Sequence, residues 1–155
     1  MAVKEVKQGD LILARHIPSA DAWQGDLNFF SPDEDYIQVG TWGYDSGKEL
    51  LAHTHNEVTR NVLWTQETLY IRKGRILVQV YNTDEVIVDE WEAAEGDIVI
   101  LLRGGHGYQM VGRGLQVTDS RYSGRFSNYS CSPRRWGAAS KLRTPGFPID
   151  PKVFL

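Results

Sequence analysis

The sequence predicts an all-β domain. Short runs of β-branched and aromatic residues recur from about Leu11 to Tyr122, turn-forming residues separate them at spacings of roughly 8–12 residues, and no long helical period interrupts them. Fifteen glycines and an aromatic content of 11% suit many short strands joined by tight turns. A chain of 155 residues holds one domain with a proper hydrophobic core and is too short for two of the usual size.

The elements follow in order. Leu11 to Ala14 is a short apolar run, flanked by Asp10 and Arg15 and well short of a signal-peptide core or a membrane span. Segment 18–35 is rich in Pro, Asp, Asn and Ser and reads as a surface loop or short turn of helix. Tyr36 to Trp42 alternates, Val58 to Trp64 has strand composition, and Thr68 to Arg72 runs into Lys73-Gly74, which reads as a hairpin turn before a strand over Arg75 to Tyr81. Asn82-Thr83-Asp84 is a turn, Glu85 to Trp91 alternates, and Ala94 to Asp97 is a further turn before the apolar run Ile98 to Leu102. Gly104 to Val111 and Leu115 to Tyr122 complete the series. Prolines at 133, 145, 148 and 151 exclude a regular helix or central strand, so a β domain over 1–122 is followed by an extended Pro-rich arm over 123–155.

Charge divides along the same line. Residues 1–120 carry 10 Lys+Arg against 19 Asp+Glu, a body at −9, and residues 121–155 carry 7 against 1, an arm at +6. The acidic body argues against nucleic acid, and the arm is expected to lie on an acidic surface, its own or a second copy's. With strand edges to cover as well, a homodimer is the expectation. The single cysteine, Cys131, leaves no intrachain disulfide and no thiolate cluster, so any metal falls to His and carboxylate. With no membrane span, the expected location is the cytoplasm. The six acidic residues between Asp84 and Glu95 alternate with Val86, Val88 and Trp91 and read as a solvated strand face.

Three of the four histidines sit near turns of the central β region. His53 and His55 are one residue apart, so on a strand both imidazoles project from one face and can reach one ion. Glu67 shares a face with Leu69 and Ile71, where its charge needs compensation. His106, in Gly104-Gly105-His106-Gly107, shares its face with Tyr108 and Met110. Three imidazoles and a carboxylate suit a divalent transition metal with positions open to water or substrate. His16 reads as a hydrogen-bonded structural residue. Arg60, Trp64, Tyr70 and Arg72 are candidates for a substrate mouth.

Gly47, five residues, then His53-Thr54-His55 resembles the first half of the first cupin motif, and Glu67 followed by Gly74 resembles its second half. Gly96, Leu102, Gly104 and His106 resemble the second motif. Residues 65–74, with Gly-Gly-His-Gly-Tyr at 104–108, are similar to a subgroup of bacterial cupins associated with surface-polysaccharide biosynthesis. The resemblance implies a double-stranded β-helix, a jelly-roll barrel, with His53, His55, Glu67 and His106 on one divalent ion such as Zn, Fe, Mn or Ni. The sequence departs from the motif in eleven residues between His55 and Glu67, which leaves Glu57 as a competing carboxylate, and in Leu102 where the motif has Pro.

The function implied is a metal-dependent isomerase or epimerase acting on a small carbohydrate or sugar-nucleotide intermediate, with Tyr108 as a proton donor. A site near +1 favours an anionic substrate. The alternatives are an iron dioxygenase, a metal-free sugar-nucleotide isomerase using a His pair as acid and base, and a non-catalytic ligand-binding or sensory module.

Overall fold

A computed structural model describes residues 3–59 and 61–121 of the protein. The arm over 123–155, with its charge and Cys131, lies outside the described residues, as do Arg60 and Tyr122. The described chain is almost entirely β: β1 (Lys4–Gln8), β2 (Leu11–Ile17), α1 (Ser19–Ala22), β3 (Leu27–Phe29), β4 (Gly40–Trp42), β5 (Glu67–Tyr81), β6 (Ile87–Ala94), β7 (Ile98–Leu101) and β8 (Gly105–Arg121). One antiparallel sheet has the order β1-β2-β7-β5-β6 with β8 also on β5, and β3 pairs with β4 separately. Among the described residues no helix is long and apolar enough to cross a membrane.

The architecture turns on β5. β8 runs along one side of it from Glu67 to Tyr81, while its other side is shared: Glu67–Tyr70 pair with β7 and Arg75–Tyr81 pair with β6. At the changeover the register shifts on both sides of Lys73, Gly74 has φ 87°, and Gly112 and Gly114 on β8 have φ 81° and 76°. Positive φ is readily available only to glycine, and extra residues on one strand bend a ladder sharply.

Straight, β5 would carry Val80 about 44 Å from Glu67, at about 3.4 Å per residue. Instead His106, the register partner of Val80, has its Nε2 3.6 Å from Glu67 Oε2. The β5–β8 ribbon has therefore folded back on itself. Lys73-Gly74 is thus a bend inside one strand and not the expected hairpin turn, and the two expected strands over 104–122 are one continuous β8. A glycine at positive φ serves a turn and a bulge equally well, so local sequence does not separate them.

Three other expectations are corrected. The described part of Val58–Trp64 is not a strand, and Tyr36–Trp42 shortens to Gly40–Trp42. β1 was not expected, because in Lys-Glu-Val-Lys-Gln only Val6 is buried and a polar edge strand looks like a polar terminus. The pairing runs from β1 to β6 without a ladder that joins them among the described residues, so the sheet is curled but not a closed barrel. Side chains cross the gap instead: Lys4 Nζ is 2.9 Å from Asp89 Oδ2 and lies over the Trp91 ring.

The core forms inside the fold. Leu69 and Ile71 from the first half of β5 meet Ile76, Val78 and Val80 from the second, with Leu13, Ala14, Val99 and Leu101. Each fully buried side chain of this kind stabilises the fold by about 1.5–3 kcal/mol. A second cluster lies on the outer face of β2 and β7, where Ile17, Ile98, Ile100 and Leu102 pack with Ala22 of α1, Phe30 and Val39. β7 is thereby covered on both faces, which explains why it reads as an unbroken apolar run.

Polar groups hold the layers in register. Asp97 Oδ2 accepts from Ala94 N at 2.9 Å and is 2.8 Å from His16 Nε2, and Oδ1 accepts from Ser19 N at 2.7 Å. His16 is structural, as expected. Arg15, 6% exposed, pairs with Glu5 at 3.2 Å and Asp35 at 2.5 Å. The Lys7 ammonium, hydrogen-bonded to Glu5, holds that carboxyl below its ordinary value, and Arg15 adds to this against the opposing cost of burial. The acidic run is mainly a solvated face, with Glu90 accepting from Gln79 and Glu92 beside Arg75.

Thr68 Oγ1 is buried without a hydrogen-bond partner among the described residues. Replacing Thr68 with Val should therefore stabilise the protein by about 1 kcal/mol, since an unsatisfied hydroxyl costs about 1–3 kcal/mol. Urea unfolding checks this; a lower midpoint would show that the hydroxyl is satisfied.

Candidate functional site

The folded ribbon creates the site. Glu67 opens β5 on the same inward alternation as Leu69 and Ile71 and is only 5% exposed. His106, Tyr108 and Met110 on β8 pair with Val80, Val78 and Ile76, so they face the same interior from the other half of the ribbon. Tyr108 donates its hydroxyl hydrogen to Glu67 Oε1 at 2.9 Å, and the His106 and Tyr108 rings lie 5.3 Å apart, tilted by 39°. A carboxylate, a phenol and an imidazole thus meet where the two halves close on each other.

Glu67 and Tyr108 border a cavity of about 260 Å³. Glu67 and Tyr108 form part of its polar lining, Leu69, Ile76, Met110, Leu115 and Val117 form apolar wall, and Asp119 adds a second carboxylate. Asp119 was missed in the sequence. The signal was present, because Leu115, Val117 and Asp119 alternate on β8 as Glu67, Leu69 and Ile71 do on β5, but the register that pairs Asp119 with Leu69 was not visible. Tyr70, a candidate for the substrate mouth, packs edge-on against Trp23 at 5.9 Å beside the outer cluster and does not line this cavity; Arg72 is exposed.

His53 and His55 occupy a different setting. They lie in the segment between β4 and β5, exposed and outside any strand, so the expected strand geometry is absent. Their rings are nevertheless neighbours, 5.2 Å between centroids in an edge arrangement. His53 Nδ1 is 3.1 Å from the Leu51 carbonyl. A carbonyl only accepts, so in this contact the hydrogen lies on Nδ1. Glu57, the competing carboxylate, is exposed on the same segment.

Comparison of the chain with family models, with curated proteins and with solved structures gives no match. The site must therefore be judged on its own geometry. Metal bonds of about 2.1 Å hold two donors of one ion roughly 3.0–3.6 Å apart, and the 3.6 Å between Glu67 Oε2 and His106 Nε2 meets that spacing. The exposed imidazole pair is chemically suited as well. The two pairs do not come together, however: among the described residues no three His, Cys, Asp or Glu side chains form a group that could hold an ion. The donors fit such a site as two halves that this arrangement does not join.

Proposed function

We propose that the chain is a small-molecule enzyme of cupin type, an isomerase or epimerase acting on a carbohydrate or sugar-nucleotide intermediate at the Glu67 centre. The supporting observation is a buried carboxylate in contact with a phenol and an imidazole beside a cavity. In that reading Tyr108, already donating to Glu67, supplies a proton to an oxygen of the substrate. His106 orients Glu67, and Leu69 and Ile76 place apolar surface beside the reacting atoms.

A divalent ion on His53, His55, Glu67 and His106 would supply Lewis-acid polarisation of a carbonyl or hydroxyl oxygen. This requires the segment carrying His53 and His55 to close onto Glu67 and His106. The contact among Glu67, Tyr108 and His106 also favours a second reading, a metal-free acid and base centre, with these residues in the roles that the sequence offered to His53 and His55. The unjoined edges at β1 and β6 support the expected homodimer.

Elemental analysis of the protein purified without added metal tests the first reading. It predicts about one divalent transition metal per chain, lost in Glu67→Gln. Protein that carries no metal and takes none up on dialysis would leave the metal-free centre, and retention of the full metal content by Glu67→Gln would remove Glu67 from the site.

A further inference from the structure

The two strands β3 and β4 pair apart from the main sheet, and their two faces are unlike. Inward, Thr41 is 5% exposed and donates its hydroxyl hydrogen to the Ala22 carbonyl of α1. Outward lie Leu27, Phe29 and Trp42, which are 51%, 61% and 63% exposed. Leu27 and Trp42 are direct register partners, and Phe29, two residues along β3, shares their face. Phe29 pairs with Gly40, where an added Cβ would lie 2.9 Å from the Phe29 ring, so the ring packs against the bare glycine beside the Leu27–Trp42 pair. Single exposed apolar side chains are ordinary, but three on one face of a two-stranded ribbon form a contiguous patch, the mark of an interaction surface.

The surroundings of the patch set the chemistry of its cover. Asp26, Glu34, Asp45 and Glu49 are exposed on the segments that enter, join and leave the two strands, and they make no side-chain hydrogen bond or ion pair among the described residues. The acidic face of β6 differs, because Asp89, Glu90 and Glu92 there already meet Lys4, Gln79 and Arg75. A basic and aromatic segment therefore suits the patch, since rings stack on rings and guanidinium groups satisfy both carboxylates and aromatic faces. The chain has one: residues 122–136 carry Tyr122, Phe126, Tyr129 and Trp136 with Arg125, Arg134 and Arg135, and no acidic residue. This segment also starts in the right place. Arg121, the last residue of β8, pairs with Glu67, the preceding Gln66 accepts from Ile37 N at 3.0 Å, and Ile37 lies just before Gly40 and the Phe29–Gly40 pair. Extended at about 3.3 Å per residue, residues 122–136 span about 50 Å, more than enough to cross the patch from there.

We propose that residues 122–136 dock on the outer face of β3 and β4 of their own chain, with aromatic rings over Leu27, Phe29 and Trp42 and arginines on the surrounding carboxylates. Attachment at Arg121 keeps the segment at high effective concentration beside this face, which favours the chain's own segment over that of a second copy. Trp42 ends β4, and the connection that carries His53 and His55 leaves from it, so the docked segment also holds the root of that connection. The docking stands independently of how the Glu67 centre is read.

Cys131, the single cysteine, lies within the docking segment and takes a nitroxide spin label in the otherwise unaltered full chain. In NMR of that protein, isotope-labelled, the amides of Leu27–Phe29 and Gly40–Trp42 should be the most strongly broadened of those in β1 to β7, and the double variant Phe29→Ala/Trp42→Ala should lose the broadening. Both side chains are exposed, so the variant should keep the parent's circular dichroism. Trypsin supplies a check that needs no label: cleavage after Arg125, Arg134 and Arg135 should be about ten-fold or more faster in the double variant, because cleavage follows the population of the undocked segment. Broadening centred on β6 or absent from β3 and β4, or equal cleavage in parent and variant, would overturn the docking. Isotope-labelled protein without nitroxide, mixed with spin-labelled protein without the isotope, tests the source: it should show no broadening of β3 and β4, and broadening there would assign the face to a second copy's segment and overturn docking within one chain.

Discussion

Replacing Gly104 with alanine should destabilise the protein by about 2–5 kcal/mol, the sum of a left-handed backbone conformation that costs a non-glycine residue about 1–2 kcal/mol and an overpacking penalty of about 1–3 kcal/mol. The backbone at Gly104 has φ 73°, and the added Cβ would lie 2.3 Å from the Tyr81 carbonyl oxygen and 3.4 Å from its carbon. The obstacle is backbone rather than the end of a flexible side chain, so relief requires the start of β8 to move away from the end of β5. For a chain of this size the melting temperature should fall by about 5–15 °C. The Gly105–Tyr81 and His106–Val80 pairings lie next to the clash, so the variant should also lose the contact between His106 and Glu67. Calorimetry measures the first effect, and the His106 ring resonances in NMR report the second. An unchanged melting temperature would show that the turn relaxes without the ladder.

The double variant His53→Ala/His55→Ala should melt where the parent does and retain no bound metal. Both imidazoles are exposed and lie outside the sheets, and substitutions at such positions usually change stability by less than about 0.5 kcal/mol. In the proposed metal site their contribution would be large by comparison, because Glu67 and His106 alone offer one oxygen and one nitrogen and leave the remaining positions to water. Metal content by mass spectrometry should therefore fall from about one equivalent to near zero. A double variant that keeps its metal would mean that the ion is held without this segment. A double variant that loses its metal together with its fold would mean that the two imidazoles are structural.

Much of the strand content was legible because strand periodicity is a local property. The alternation of Ile76, Val78 and Val80 marks half of a strand buried on one face, and the unbroken run Ile98 to Leu101 marks one buried on both. Inward orientation of Glu67 with Leu69 and Ile71, and of His106 with Tyr108, followed from the same period of two. β1 escaped notice because a strand with one buried residue carries almost no pattern. The placement of His53 and His55 also escaped, since the segment 50–59 has neither alternation nor burial to fix it.

The sequence by itself determined the all-β character, the faces of most strands and the residue types available for chemistry, since all of these depend on neighbours within a few positions. Only the tertiary structure decided that Glu67 meets His106 and Tyr108, that Asp119 joins the cavity bordered by Glu67 and Tyr108, and that the histidine pair stands apart from them. The physical reason is the bend at Gly74 opposite Gly112 and Gly114. Whether such glycines close a hairpin or fold a continuous ribbon is settled by the burial of Leu69 and Ile71 against Ile76, Val78 and Val80, a contact between two halves of one strand that no local pattern encodes.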